Sequence, residues 1–310
     1  MTLLALGAVP LVADAQQARI PTVGILGIIN LEPTLGPFRE AMRDLGYVEG
    51  KNVRFEIRSA NGDASAGVAL AEDLVRRNVD VIVAYQTPAV KAAKPATATI
   101  PIVMAAGDAV ESGLIASLAR PGGNVTGMSN SIADLAAKTL SLVKEIRPAV
   151  RVVAVLANAA DPFTAFFLSR IQSAGQALAI DVRPAMVGGP DDYDGVFAAW
   201  ALARIDAVIV QPSLPFKHAL ELAGRHRMLS ASSISPFVEA GGLFAYAPNV
   251  RGQSRKLAAY VDRILKGAKP GDLPAEQPTE FVLAINLKTA KSLQVTIPKS
   301  LLARADAVIQ

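Results

Sequence analysis

The tetrapeptide Tyr85-Gln86-Thr87-Pro88 closes the apolar run Val81–Ala84 and opens an Ala- and Lys-bearing helical pattern. A strand that turns into a helix here leaves backbone N–H groups without intrahelical partners. Those groups and the positive end of the helix dipole suit a carboxylate. Thr87 can cap, and Pro88 fits the first helical position. Taken alone, the stretch reads better as ordinary capping with water in place of a ligand. Asp108, in "AAGDAV" after the run 99–105, offers a carboxylate that could hold a ligand ammonium. It reads equally well as the N-cap of a helix near Ser112–Ala119.

The same arrangement recurs. Asn158, Asp161 and Pro162 follow the run 151–158. Gln211, Pro212 and Ser213 follow the run 206–212, and Tyr246, Pro248 and Asn249 close the run 241–249. Asn30 opens a polar loop after "TVGILGII". Each is by itself a turn. Their recurrence at successive strand ends makes a cleft lining the better joint reading. Tyr85, Phe163, Phe237 and Tyr246 fall near those ends, where a planar ligand could stack on them. Phe166, Phe167 and Phe197 read as core, and the sole tryptophan, Trp200, as packing its helix on a sheet.

Other chemistries find no support. The chain has no cysteine, which excludes disulfides, thiol nucleophiles and thiolate metal sites. Its two histidines, His218 and His226, sit on one expected helix as surface residues and make no metal centre. No G-x-G-x-x-G, P-loop or G-x-S-x-G element is present. Asp191-Asp192 sits at an expected helix start, where paired acids cap and complement the dipole. We expect no metal, no cofactor and no enzyme activity.

The elements that must position these residues alternate along the chain. Strand patterns at 22–29, 52–60, 79–85 and 99–105 are separated by helical patterns at 38–45, 64–77 and after Pro88. This β-α-β order is the signature of a parallel sheet covered on both faces. The period-two stretch 52–60 suits an exposed or edge strand. "ARPGGNVTGMSN" (119–130) breaks the rhythm and reads as the first passage to a second lobe. Helix 135–146 comes next, ended by Pro148, and a second series then starts: strand 151–158, helix 163–178, strand 180–187, helix 191–203, strand 206–212 and helix 216–227. Strand 241–249, helix 251–266, a Pro- and Gly-rich connection at 267–280, strand into helix at 281–293 and one short helix after Ile297 complete it. In open α/β sheets ligands bind beyond the strand C-termini. Two facing lobes merge those crevices into one cleft that closes by hinge motion.

With 310 residues, 51% of them hydrophobic, 19% charged, and a mean hydropathy of +0.34, the chain can fill two cores. The net charge of +4 is scattered, with Arg76-Arg77 the longest basic run, and argues against nucleic-acid binding. "LLALGAVPLVADAQQ" ends in the A-x-A pattern Ala13-Asp14-Ala15, as a secretory signal does. It lacks the usual positive region, so the true start is expected upstream. No cysteine follows the cleavage pattern, so no lipid anchor is expected.

Three stretches carry a resemblance: "FREAMRDLGYVEGKNV", "IPIVMAAGDAVESGLIASLARPGGNVTGMSN" and "AAYVDRILKGAKPGDLPAEQPTEFVLAINLKTAKSL". They resemble the ABC-transporter substrate-binding protein family that includes tryptophan- and tyrosine-linked uptake systems, from Ile20 to the C-terminus. The resemblance implies the type I periplasmic-binding-protein fold, an α/β architecture of two Rossmann-like lobes joined by three crossover segments. It implies crossovers near Thr126–Ser129, Pro248–Arg251 and Glu280–Val282. The implied domains are a signal segment at 1–15, lobe one at 20–127 plus 250–280, and lobe two at 128–249 plus 281–310. It further implies a periplasmic monomer that captures an amino acid or other small aromatic carboxylate for an inner-membrane ABC permease. Thr87-Pro88 matches the family's Thr-Pro turn, Asp108 its Gly-Asp element, and Asn158 an asparagine of lobe two. Tyr85-Gln86 stands where the family has small residues, and "HRMLSASSISPFVEAGG" also departs from its pattern. The expected ligand contacts are Asn30, Tyr85, Gln86, Thr87, Pro88, Asp108, Asn158, Asp161, Gln211, Phe237 and Tyr246. A ligand-sensing domain serving a membrane receptor is the alternative, and an enzyme on the same scaffold a third reading.

Overall fold

The computed structural model describes residues 19–310. The expected signal segment at 1–15 lies outside the described residues. The first lobe is built on β1 (Thr22–Gly27), α1 (Glu32–Asp44), β2 (Arg54–Ser59), α2 (Gly67–Arg76), β3 (Val81–Tyr85), α3 (Thr87–Ala96), β4 (Ile102–Gly107) and β5 (Val125–Asn130). The chain continues through α4 (Ile132–Ile146), β6 (Val152–Asn158), α5 (Thr164–Leu178), β7 (Asp181–Val187), α6 (Tyr193–Leu202), β8 (Ala207–Val210), α7 (Lys217–Arg225) and β9 (Leu229–Ser232). The remaining elements are α8 (Pro236–Glu239), β10 (Phe244–Pro248), α9 (Val250–Leu265), β11 (Phe281–Asn286), α10 (Leu287–Ser292), α11 (Lys299–Leu302) and β12 (Ala307–Ile309).

Two sheets result, in the orders β2-β1-β3-β4-β5 and β12-β11-β10-β9-β8-β6-β7. Every described strand pairing is parallel except β10 with β11. The apolar run Val81–Tyr85 is buried along its whole length, as a central parallel strand covered on both faces must be. The alternating stretch around β2 takes the edge of the first sheet, as its period-two pattern predicts.

Helices cover both faces of each sheet. On one face of the first sheet α1 and α9 enclose Phe38, Met42, Leu257 and Val261. On the other, α2 and α3 enclose Leu74, Val90 and Ala93. Helix α9 thus returns from the second series to pack on the first sheet. In the second lobe Leu140, Phe167 and Leu301 fill one face and Phe197, Leu222 and Phe237 the other.

Several elements differ from the sequence expectation. Helix α1 begins at Glu32, within the expected polar loop, because Pro33 is preset for a first turn and Asn30 Oδ1 accepts the Glu32 N–H. No helix forms at 112–119; turns occupy it. Strand β9 forms in a stretch, between helix 216–227 and strand 241–249, to which the sequence pattern assigns no element. Within the sheet its serine hydroxyls are satisfied: Ser230 Oγ accepts the Leu243 N–H, and Ser232 Oγ donates to the Val210 carbonyl. Strand β5 carries 125–130 along the first sheet, so the chain leaves that sheet at Ser131. Strand β12 adds a second-sheet edge where the sequence predicts only a helix.

Candidate functional site

The strand C-termini of both sheets face one cleft. It holds a cavity of about 410 Å³. From the first lobe, Ile29–Leu31, Asn61, Gly62, Tyr85, Gln86 and Asn130 line it. From the second, the segments 215–218 and 233–236 and the end of β10 complete it. A smaller compartment of about 60 Å³ adjoins it, formed by Thr87, Gly107, Asp161, Gln211 and Ser213 among others. Gln86, Ala105, Asn130, Ile132 and Ile234 line both. The surface of the larger space is mainly apolar, with Ile, Leu, Pro and Phe side chains between polar ones; no aspartate or glutamate lines it, and Lys217 and His218 are its only charged or titratable bases.

Two hydroxyls in this lining lack partners. Tyr85 Oη and Ser233 Oγ are buried with no hydrogen-bond partner among the described residues, and they come from opposite lobes. An unmade buried bond of this kind costs about 1–3 kcal/mol. Burial also pushes the Tyr85 phenol far above its ordinary value, so it is a neutral donor.

The backbone at the cleft is strained where the sequence leads one to expect chemistry. Gln86 has φ 71° and Asp108 φ 34°, in a region that non-glycine residues seldom adopt. Gln86, not Thr87, is the N-cap residue of α3. Its carbonyl accepts the Ala89 and Val90 N–H groups, which leaves the Thr87 N–H without a carbonyl partner among the described residues. The Thr87 hydroxyl ties α3 to β4, accepting the Gly107 N–H at 3.2 Å. It therefore lines the smaller compartment chiefly through its first-turn position. Pro88 lies beneath it, buried, and lines neither space.

Asp161 is 6% exposed and accepts three hydrogen bonds, which leaves capacity for one more. Its Oδ2 accepts from Ser213 Oγ at 2.6 Å and Gln211 Nε2 at 3.1 Å, and its Oδ1 accepts the Phe163 N–H at 3.0 Å. Burial holds its pKa above the ordinary value, while these donors and the charge of Lys91 pull it back. Asn158 supports this network from behind: its N–H donates to Gln211 Oε1 and its Nδ2 to Ser213 Oγ.

The remaining expected contacts stand elsewhere. Asp108 caps α4, accepting the Ala133 N–H at 3.1 Å on Oδ2, because the helix expected at 112–119 does not form. It therefore ties the end of β4 to a helix of the second lobe and lines neither space. Phe237 is 0% exposed and packs edge-on against Phe216 at 5.6 Å, backing the cavity wall without reaching it. Tyr246 stacks on Phe281 at 5.8 Å across the β10–β11 pair, outside the cavity.

The sequence reading missed Ser233, Asn130, Gln253, Lys217 and His218. Asn130 and Gln253 join across the cleft base, Gln253 Nε2 donating to Asn130 Oδ1 at 2.7 Å. Asn130 closes a strand, and that position could have marked it. His218 stacks on Tyr193 and bonds Asp194 at 2.8 Å, which holds its pKa above the ordinary value. The lobes meet at the cleft mouth, where a Cβ on Gly62 would lie 2.4 Å from Pro215 Cγ.

Comparison with known proteins agrees with this architecture. The family model described as "ABC transporter substrate binding protein" matches residues 30–309. The curated tyrosine-binding protein of Clostridioides difficile (strain R20291) is 26% identical over 273 residues, covering 86% of this chain and 78% of that protein. A solved conserved domain protein from Vibrio cholerae superposes with TM-score 0.86 at 27% identity, covering 94% of this chain and 100% of that one. A Streptococcus pneumoniae ABC domain solved with L-Trp has the same fold, with TM-score 0.84 at 24% identity over 93% of this chain and 99% of that one. The fold is that of type I periplasmic binding proteins. No helix among the described residues is long and apolar enough to cross a membrane.

Proposed function

This chain belongs to the ABC transporter substrate-binding protein family, and from that premise we propose that its cleft captures an amino acid with an aromatic side chain, or a related small aromatic carboxylate, for import. The observation that carries this reading is the division of the cleft. A larger, mainly apolar space with two orphaned hydroxyls, Tyr85 Oη and Ser233 Oγ, opens into a smaller compartment whose walls carry the Asp161 carboxyl and the start of α3. The ring of the ligand fills the first, and its charged head lies at the second. The unpartnered Thr87 N–H and the dipole of α3 favour a carboxylate there. The Asp161 carboxylate provides the only acidic group in either lining for an amine.

The relatives support the ligand class: one is named for binding tyrosine and another was solved with L-Trp. In this reading the protein is exported, is a monomer, performs no turnover, and hands its ligand to an inner-membrane permease. Capture proceeds by hinge closure, with Gly62 meeting Pro215. The test is native mass spectrometry of protein purified without refolding, followed by a thermal-shift screen of amino acids and aromatic acids. A ligand that binds only the folded state must raise apparent stability. Stabilisation by aromatic carboxylates is expected. A response confined to sugars or nucleobases would overturn the ligand assignment.

A further inference from the structure

Gln86 stands where the two compartments join, and its amide is oriented by what surrounds it. Its Oε1 faces the Ile28 N–H at 3.3 Å and the Ile29 N–H at 3.5 Å. Both partners are donors, so oxygen must face them and nitrogen must face the neck. The Nε2 group has no acceptor among the described residues. Strained backbone at φ 71° holds the side chain there. No carboxylate lines the larger compartment to compete for this donor.

Resting on the function proposed above, we propose that Gln86 is the specificity-determining residue of the cleft: its Nε2 donates to the ligand carboxylate at the neck and rejects ligands that present only a cation there. The side chain has two separable tasks. Satisfying Ile28 and Ile29 requires only an oxygen, whereas choosing the ligand requires the nitrogen. Gln86→Glu separates them, because glutamate keeps an oxygen on both amides and replaces the outward donor with a second, charged acceptor.

The experiment compares wild type, Gln86→Glu and Gln86→Ala by calorimetric titration with L-tyrosine, L-tryptophan and L-phenylalanine and with tyramine, tryptamine and phenethylamine. Thermal melting of each ligand-free protein is recorded alongside. Gln86→Glu should melt close to wild type yet bind the amino acids at least about tenfold more weakly, since like charges oppose one another. Its ratio of amine to amino-acid affinity should rise. Gln86→Ala should lose affinity by a smaller factor, having lost a donor without gaining a charge. Amino-acid affinity in Gln86→Glu equal to wild type would overturn this role and leave the proposed function standing. Wild type that binds none of the carboxylates, or only the amines, would overturn both.

Discussion

Replacing Asp108 by asparagine should make the protein more stable at pH 8 and leave it unchanged near pH 3.5. Burial at the junction of β4 and α4 pushes this carboxyl from its ordinary 3.8 up to about 6, with the charges of Glu111 and Asp134 adding to it and the Ala133 and Ile132 N–H groups opposing it. The folded state therefore takes up this proton more readily than the unfolded chain. Below pH 3.8 the group is neutral in both states and its contribution to stability is at its maximum. As pH rises through about 6 the folded state must carry a buried charge, and that stability is lost. The interval between 3.8 and about 6 corresponds to a ceiling of about 3 kcal/mol. Residual solvent contact reduces the expected value to roughly 1–3 kcal/mol. The Asp108→Asn side chain would keep an oxygen for the Ala133 N–H, so the cap survives while the charge is removed. The assay is denaturant unfolding of both proteins at intervals from pH 3.5 to 8. The variant's advantage should appear between about pH 4 and 6 and then level off. Parallel curves over that window would refute the reasoning.

Tyr85→Phe and Ser233→Ala remove orphaned hydroxyls, so each should leave the ligand-free protein as stable or up to about 1 kcal/mol more so, while weakening ligand binding; melting and calorimetric titration together read this. Loss of stability without ligand would mean that these hydroxyls are already satisfied. Phe237→Ala should cost about 3–5 kcal/mol in the ligand-free protein, because its ring is wholly buried in the second-lobe core. A variant that unfolds like wild type but binds ligand poorly would restore Phe237 to the cleft. Gly62→Val places bulk against Pro215 and a side chain at φ 100°, so the variant should melt lower and small-angle scattering should find it more expanded than wild type with and without ligand, with affinity reduced about tenfold or more. Unchanged affinity would remove this contact from the closure mechanism.

Much of the architecture can be read from local pattern. The runs at β1, β3, β4 and β6 are long, apolar and bounded by turn residues, and a parallel sheet covered on both faces is the arrangement that buries them. Elements failed to show where local preference and tertiary use diverge. Serines normally signal a turn, yet in β9 the neighbouring strands satisfy them. Turn-rich 112–119 follows a strand as a helix would, but Asp108, the expected cap for it, caps α4 instead.

The residue types and strand-end positions of the cleft follow from sequence, because chemistry at the C-terminal edge of a parallel sheet depends on which residues end each strand. That is why Asn30, Tyr85, Gln86, Thr87, Asp161 and Gln211 could be named from spacing and line the two compartments. Which of them face a ligand and which serve the fold is a matter of packing. Phe237 and Asn158 have equally suitable side chains, but core contacts claim the first and a hydrogen-bond network the second. Ser233 carries no signal of its own. Its importance is that it is a buried hydroxyl with no partner, and that is decided only when two lobes distant in sequence close around the same space.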